Sequence, residues 1–247
     1  FVSSPRSFQA TVYSDEEIAE FNRLYKENNM QGLFFHAVYL VNLASEKKSL
    51  YGISQQSLIE YLRFGEQIGC TGTIFHIGSY KKLGFDAVKV QIVSAMKHIL
   101  SETPESQFLI MENSAGSPRC GSSIEELSYL YNEVKSPRLK VCLDTQHLFA
   151  SGIDDRDGEI LSQWLSDFDK QIGMDNIVCM HANDSKTELG SCHDKHENIG
   201  AGFIGEAGFK NILKQPLLAG KPWILEVPGM SGEGPDRANR DALERLG

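Results

Sequence analysis

The chain has no CxxC pair, and its cysteines, Cys70, Cys120, Cys142, Cys179 and Cys192, are five in number. An odd count without paired spacing argues against a disulfide framework and favours a reducing compartment, the cytoplasm. No apolar run approaches the ~20 residues that span a bilayer, so no membrane is expected as partner. No secretory leader is visible at Phe1. Positive charge is scarce: 24 Lys and Arg stand against 33 Asp and Glu, a formal net charge of -9. Nucleic-acid-binding domains usually carry a basic footprint, so this balance alone speaks against such a partner. The objection weakens if acidic residues hold metal, because three divalent ions add about six positive charges at one place.

What is present is strand and helix in alternation. Short apolar runs at Gly32–His36, Thr73–His76, Phe108–Glu112, Leu139–Asp144, Ile177–His181 and Trp223–Glu226 read as strands. They are continuous rather than alternating, as parallel strands buried on both faces are. Between them lie helical patterns. Ser14-x-x-Glu17 and Ser123-x-x-Glu126 are capping boxes, and Ile18, Phe21, Leu24 and Tyr25 follow the first. Ser54 is a candidate cap for a helix carrying Leu58, Tyr61, Leu62 and Ile68, with Gly69 as its stop. Val88, Ile92, Ala95, Met96 and Ile99 mark another, and Phe209, Ile212 and Leu213 one more. Ile160, Trp164, Phe168 and Ile172 repeat every four residues and predict a packed stripe. Repeated βα units with no Rossmann glycine fingerprint favour a (β/α)8 TIM barrel over a doubly wound sheet. No linker or repeat divides the chain, and residues 1–247 read as a single domain. Six strands are legible where a closed barrel needs eight. Phe1-Val2 reads as the tail of one more.

Each of the six runs ends on a metal-ligand type: His36, His76, Glu112, Asp144, His181 and Glu226. In a TIM barrel the C-terminal strand ends build the active site, so six such side chains converge on one mouth. A lone His there is more often structural, and a lone Asp more often caps the following helix. Together they are harder to dismiss, because Glu112, Asp144 and Glu226 would crowd like charges unless cations compensate them. His147 lies one turn beyond Asp144, and Asp194-x-His196 offers two more ligand types. His147, Asp194 and His196 would form a three-ligand site with open positions, a feature of catalytic zinc. His98, on a helix, reads as a surface residue.

The segments His36-Ala-Val-Tyr39-Leu40-Val-Asn42, Phe75-His76-Ile-Gly78, Met111-Glu112-Asn113-Ser-Ala-Gly116, Cys142-Leu-Asp144-Thr-Gln-His147, Met180-His181-Ala-Asn183-Asp184-Ser-Lys186, Asp194-Lys-His196 and Asn198-Ile-Gly200-Ala-Gly202-Phe-Ile-Gly205 resemble, in order, those of the endonuclease IV family. The resemblance covers nearly the whole chain. It implies a DNA-repair enzyme that hydrolyses the phosphodiester 5′ to an abasic site by a zinc-bound hydroxide, leaving 3′-hydroxyl and 5′-deoxyribose phosphate. It implies three zinc ions per chain, with manganese the alternative at one site. His36 and His76 would hold the first ion, with Glu112 bridging to the second. Asp144, His181 and Glu226 would complete the second, and His147, Asp194 and His196 the third. Glu112 and Glu226 would be catalytic. Arg6, Tyr39 and Leu40 match the side chains that enter the DNA minor groove. The implied partner is double-stranded DNA containing abasic sites, with no obligate protein partner, and the implied location is the cytoplasm with the nucleoid. The family's N-terminal βα unit and most of its second strand have no counterpart, so the expected fold is a TIM barrel lacking that portion.

The main rival is a single-metal sugar isomerase or epimerase of the xylose-isomerase-like barrel type. That chemistry needs Glu112, Asp144, His181 and Glu226 but not His36, His76, His147, Asp194 and His196. A non-enzymatic lesion-binding protein or inactive fragment is the other alternative.

Overall fold

A computed structural model describes residues 4–9, 11–30 and 32–247. Phe1-Val2, read above as a strand tail, lies outside them. The chain forms two compact units, one ending at Met111 and including Glu133–Lys140, the other comprising Glu112–Asn132 and Val141–Gly247.

The apolar runs form strands β1 (Phe34–His36), β2 (Gly72–His76), β3 (Phe108–Glu112), β4 (Leu139–Asp144) and β5 (Ile177–Ala182), then the short β6 (Asp184–Ser185), β7 (His196–Glu197) and β8 (Trp223–Leu225). Six of them make one sheet in the order β1-β2-β3-β4-β5-β8, and β6 pairs with β7. The pairings β1–β2, β4–β5 and β5–β8 are parallel, with Asp144 directly beside His181 in register. Parallel order sends the C-terminal strand ends within each unit the same way, which brings their ligand-type residues together. Below those ends the strands are dry: Leu109, Ile110, Val141, Cys142, Leu143 and Cys179 are buried. Cys142 and Cys179 are register partners. Burial and the neighbouring Cys179 sulfur push the Cys142 thiol well above its ordinary pKa, as for an inert small hydrophobe.

The helices are α1 (Asp15–Glu27), α2 (Lys48–Gln67), α3 (Phe85–Ser101), α4 (Ile124–Val134), α5 (Thr145–Ser151), α6 (Gly158–Gln171), α7 (Gly205–Leu213) and α8 (Arg237–Leu246). The Ser14/Glu17 capping box forms, each side chain accepting the other's backbone N–H. At the second box, Ser123 Oγ accepts from Glu126 N, while the Glu126 carboxylate takes the N–H groups of Gly121 and Ser122. The five apolar residues predicted for α3 are all buried. No helix among the described residues is long and apolar enough to cross a membrane.

Two expectations need correction. Ser54 does not cap α2, which starts at Lys48. Ser54 lies inside it, its hydroxyl accepting from Asn42 N at 3.0 Å and donating to Leu50 O at 2.7 Å, so a tertiary bond took the serine that a local cap would use. On α6 the buried face is Leu161, Leu165 and Phe168, continued by Ile172 at the C-cap, while Ile160 is 47% exposed and Trp164 half-buried. Strict four-residue spacing drifts around a helix of 3.6 residues per turn, so the first two members of the predicted stripe fall off the packed side. His98 is exposed, as expected.

One buried group works against stability. Asp155 is fully buried, and neither carboxylate oxygen has a hydrogen-bond partner among the described residues. Burial, then Asp154, Asp184 and Asp144, hold its pKa well above the usual carboxylate range. A raised carboxyl pKa means that stability falls as pH rises from about 4 through the folded-state value. Asp155→Leu is therefore expected to stabilise the chain by ~1–3 kcal/mol at pH 8, several degrees in Tm, and by less at pH 5. Thermal unfolding at both pH values tests this, and equal or lower Tm at pH 8 contradicts it.

Candidate metal centre and its family

Four ligand-type side chains converge in the second unit. Single oxygen or nitrogen atoms of Glu112, Asp144, His181 and Glu226 all lie within 4.8 Å of one another. His181 Nδ1 is 2.8 Å from Glu112 Oε1, 3.2 Å from Glu226 Oε2 and 3.8 Å from Asp144 Oδ2. Glu112, Asp144 and His181 are buried, and the Glu226 side chain is 23% exposed, which leaves one side open. Burial disfavours the charged His181 ring, yet the Glu226 and Glu112 carboxylates hold its pKa well above the ordinary histidine value.

A second group adjoins it. His147 Nε2 and His196 Nε2 lie 3.4 and 3.3 Å from the same oxygen of Asp194, and His196 Nε2 is 3.8 Å from Asp144 Oδ2. Against burial, Asp144, Asp194 and Glu112 raise the pKa of His147 to about 10, and Asp144 and Asp194 raise His196 to about 9. Against its own burial, the two imidazoles hold Asp194 below the usual carboxylate range. In the first unit the rings of His36 and His76 stand 5.2 Å apart.

The donor set fits divalent metal. His36 Nδ1 donates to Ala37 O, His147 Nδ1 to Asn113 O and His196 Nδ1 to Glu226 O, at 2.8, 2.9 and 3.1 Å. A carbonyl that takes the Nδ1 proton leaves the Nε2 lone pair for a metal. His196 Nε2 is buried and has no hydrogen-bond partner among the described residues.

Asp144 satisfies the structural and the functional readings of a strand-end aspartate at once. Its Oδ1 caps α5 by accepting His147 N at 3.0 Å, and its Oδ2 faces the histidines. Two braces around it were not named from sequence as site residues. Asn113 accepts Asp144 N at 2.6 Å and donates to Asp144 O at 3.2 Å. Asn183 donates to Asp144 Oδ2 at 2.6 Å and accepts Glu226 N at 2.9 Å. Their signal was position: each follows a strand-end ligand by one or two residues.

Contrary to the expectation of no glycine fingerprint, the run Gly200-Ala-Gly202-Phe-Ile-Gly205 has G-x-G-x-x-G spacing. Here the loop wraps an internal anion: the Asp184 carboxylate accepts the N–H groups of Gly202, Ile204 and Gly205 at 2.9–3.1 Å and that of Ser185 at 2.7 Å. Gly202 is obligatory, because a Cβ there would collide with Ser185 O.

Of the three side chains expected to touch DNA, Arg6 is exposed, and Tyr39 and Leu40 are 53% and 41% exposed. Pro5 O accepts Tyr39 N at 2.9 Å, which sets the Arg6 segment beside the Tyr39/Leu40 turn. The Tyr39 ring stands 5.8 Å from His36 and 6.0 Å from His76.

A family model described as a xylose isomerase-like TIM barrel matches residues 1–246. A protein of Halothermothrix orenii named probable endonuclease 4 is 39% identical over 96% of this chain and 86% of its own length. The chain belongs to the endonuclease IV family. Its fold follows the family's: the crystal structure of endonuclease IV from Thermus thermophilus matches all of this chain and 87% of that one, with a TM-score of 0.85 and 29% identity. The TIM-barrel expectation therefore holds, with six strands in the sheet described. A D-tagatose 3-epimerase-like protein shares the fold at 18% identity and a TM-score of 0.69, covering 94% of this chain and 83% of that one. That likeness extends to fold alone, whereas the identity to endonuclease IV proteins extends to sequence. The His/Asp/Glu groups able to hold metal stand at or near the C-terminal ends of the sheet's strands.

Proposed function

We propose that this chain is a DNA-repair endonuclease that hydrolyses the phosphodiester 5′ to an abasic site, leaving a 3′-hydroxyl and a 5′-deoxyribose phosphate. The observation that carries this reading is the second ligand group, His147, Asp194 and His196, beside the first. A one-metal sugar isomerase has no use for it. Three zinc ions fit the donor types, with manganese the alternative at one position. Glu112, Asp144, His181 and Glu226 would hold one ion, and His147, Asp194 and His196 another. His36 and His76, whose rings stand 5.2 Å apart at the ends of β1 and β2, would serve a third. Bound divalent ions supply Lewis acidity, lowering the pKa of water toward about 7 and neutralising charge on the reacting phosphate.

The remaining work falls to side chains. Glu226 has the exposure to accept a hydrogen bond from the attacking water and orient it. Glu112, buried beneath, fixes the His181 ring. Tyr39 and Leu40, exposed beside two histidines, would wedge into the base stack, with Arg6 following the groove. An abasic nucleotide is the least costly to extrude, because its pairing and stacking are already lost. Residues 1–247 would act as one catalytic domain on duplex DNA, in the cytoplasm with the nucleoid.

Incubation with duplexes that differ by one abasic site tests this. The expected result is incision of the abasic strand alone, abolished by a chelator and restored by zinc. Turnover of an aldose or ketose without incision would overturn it.

A further inference from the structure

The chain has nine arginines. Arg23, Arg63, Arg138, Arg156, Arg237, Arg240 and Arg245 each pair with a carboxylate within 4.0 Å. Arg6 and Arg119 pair with none among the described residues. Arg6 is the DNA contact that the family resemblance implies. Arg119 has been assigned nothing.

Its surroundings are built. Arg119 sits half-buried on the loop that follows Glu112, with its N–H bonded to Gly116 O at 3.1 Å. One guanidinium nitrogen donates to Cys192 O at 3.3 Å, two residues before Asp194. The two loops touch closely: a Cβ on Gly116 would lie 2.7 Å from Cys192 Sγ, and Cys192 N is tied to Ala150 O at 3.0 Å. A planar group with five N–H donors is thus aimed by one of them, with the others unclaimed by any carboxylate. In a chain of net charge -9, this guanidinium stays without a carboxylate among the described residues and is free to meet an anion that arrives from outside. A guanidinium fork suits phosphate.

We propose that Arg119 binds a backbone phosphate of the DNA next to the lesion, beside the loop that carries Asp194 and His196. This rests on the endonuclease reading. Glutamine at 119 keeps a donor for Cys192 O and removes the charge, so Arg119→Gln separates phosphate binding from loop bracing. Arg119→Lys restores the charge without the fork.

Binding of the metal-loaded proteins to an abasic duplex, its scissile linkage a slowly cleaved phosphorothioate, is measured across KCl concentrations, with metal per chain counted in parallel. Arg119→Gln should bind about tenfold more weakly, with the slope of log Kd against log salt smaller by about 0.9, one phosphate contact. Its metal content should equal that of the unsubstituted protein, and Arg119→Lys should recover the slope but only part of the affinity. An unchanged affinity and slope in Arg119→Gln overturns the proposal while incision by the unsubstituted protein leaves the endonuclease reading standing. Loss of bound metal in Arg119→Gln overturns it in favour of loop bracing. A protein that neither binds nor incises the duplex overturns both.

Discussion

Glu112→Gln is expected to lower incision of an abasic duplex by at least roughly a thousandfold, ~4 kcal/mol of transition-state stabilisation, and to destabilise the metal-free protein, in which Glu112 pairs with the His181 imidazolium. The two halves of that result come from the same geometry. Glu112 is fully buried against His181, within 4.8 Å of ligand atoms of Asp144 and Glu226. Glutamine preserves shape and an acceptor for His181. It removes one of the charges that keep the His181 ring protonated when no metal is bound, and that grip cations when metal is. Single-turnover incision and thermal unfolding in chelator measure the two effects. Near-normal incision by the folded, metal-loaded variant would remove Glu112 from the mechanism.

The second large effect concerns the loop around Asp184. Asp184→Ala is expected to cost ~3–5 kcal/mol, on the order of 10 °C in Tm for a chain of this size. The loss comes from the donors rather than from the ion. Burial already raises the Asp184 pKa despite the N–H groups of Gly202, Ser185, Ile204 and Gly205 that work to lower it. Removing the carboxylate leaves those four backbone N–H groups facing a cavity. A Tm within about 2 °C of the unsubstituted protein would contradict this.

The strands were legible because a buried parallel strand has to be apolar along its whole length, and their ends because His, Asp and Glu interrupt such runs conspicuously. Strand limits differ by a residue: β5 runs on to Ala182 past His181, and β8 stops at Leu225 before Glu226. What local patterns missed was decided by tertiary partners. Ser54 looks like a cap until Asn42 N claims it. The helix Arg237–Leu246 carries little apolar pattern: its one buried apolar residue is Leu246, and its start depends on Asp236 accepting Asn239 N. The glycine spacing at 200–205 was uninformative without Asp184, the anion it encloses. Asn113 and Asn183 carry no chemistry of their own, and only the carboxylate and backbone groups they hold reveal their purpose.

The central claim is that this chain holds a cluster of ions, not one. Elemental analysis of the purified protein, with metal counted per chain, tests it most directly. Three ions per chain, zinc predominating, is the predicted result. A single ion per chain, at saturating metal and with the protein folded, would contradict it and return the single-metal isomerase reading to first place.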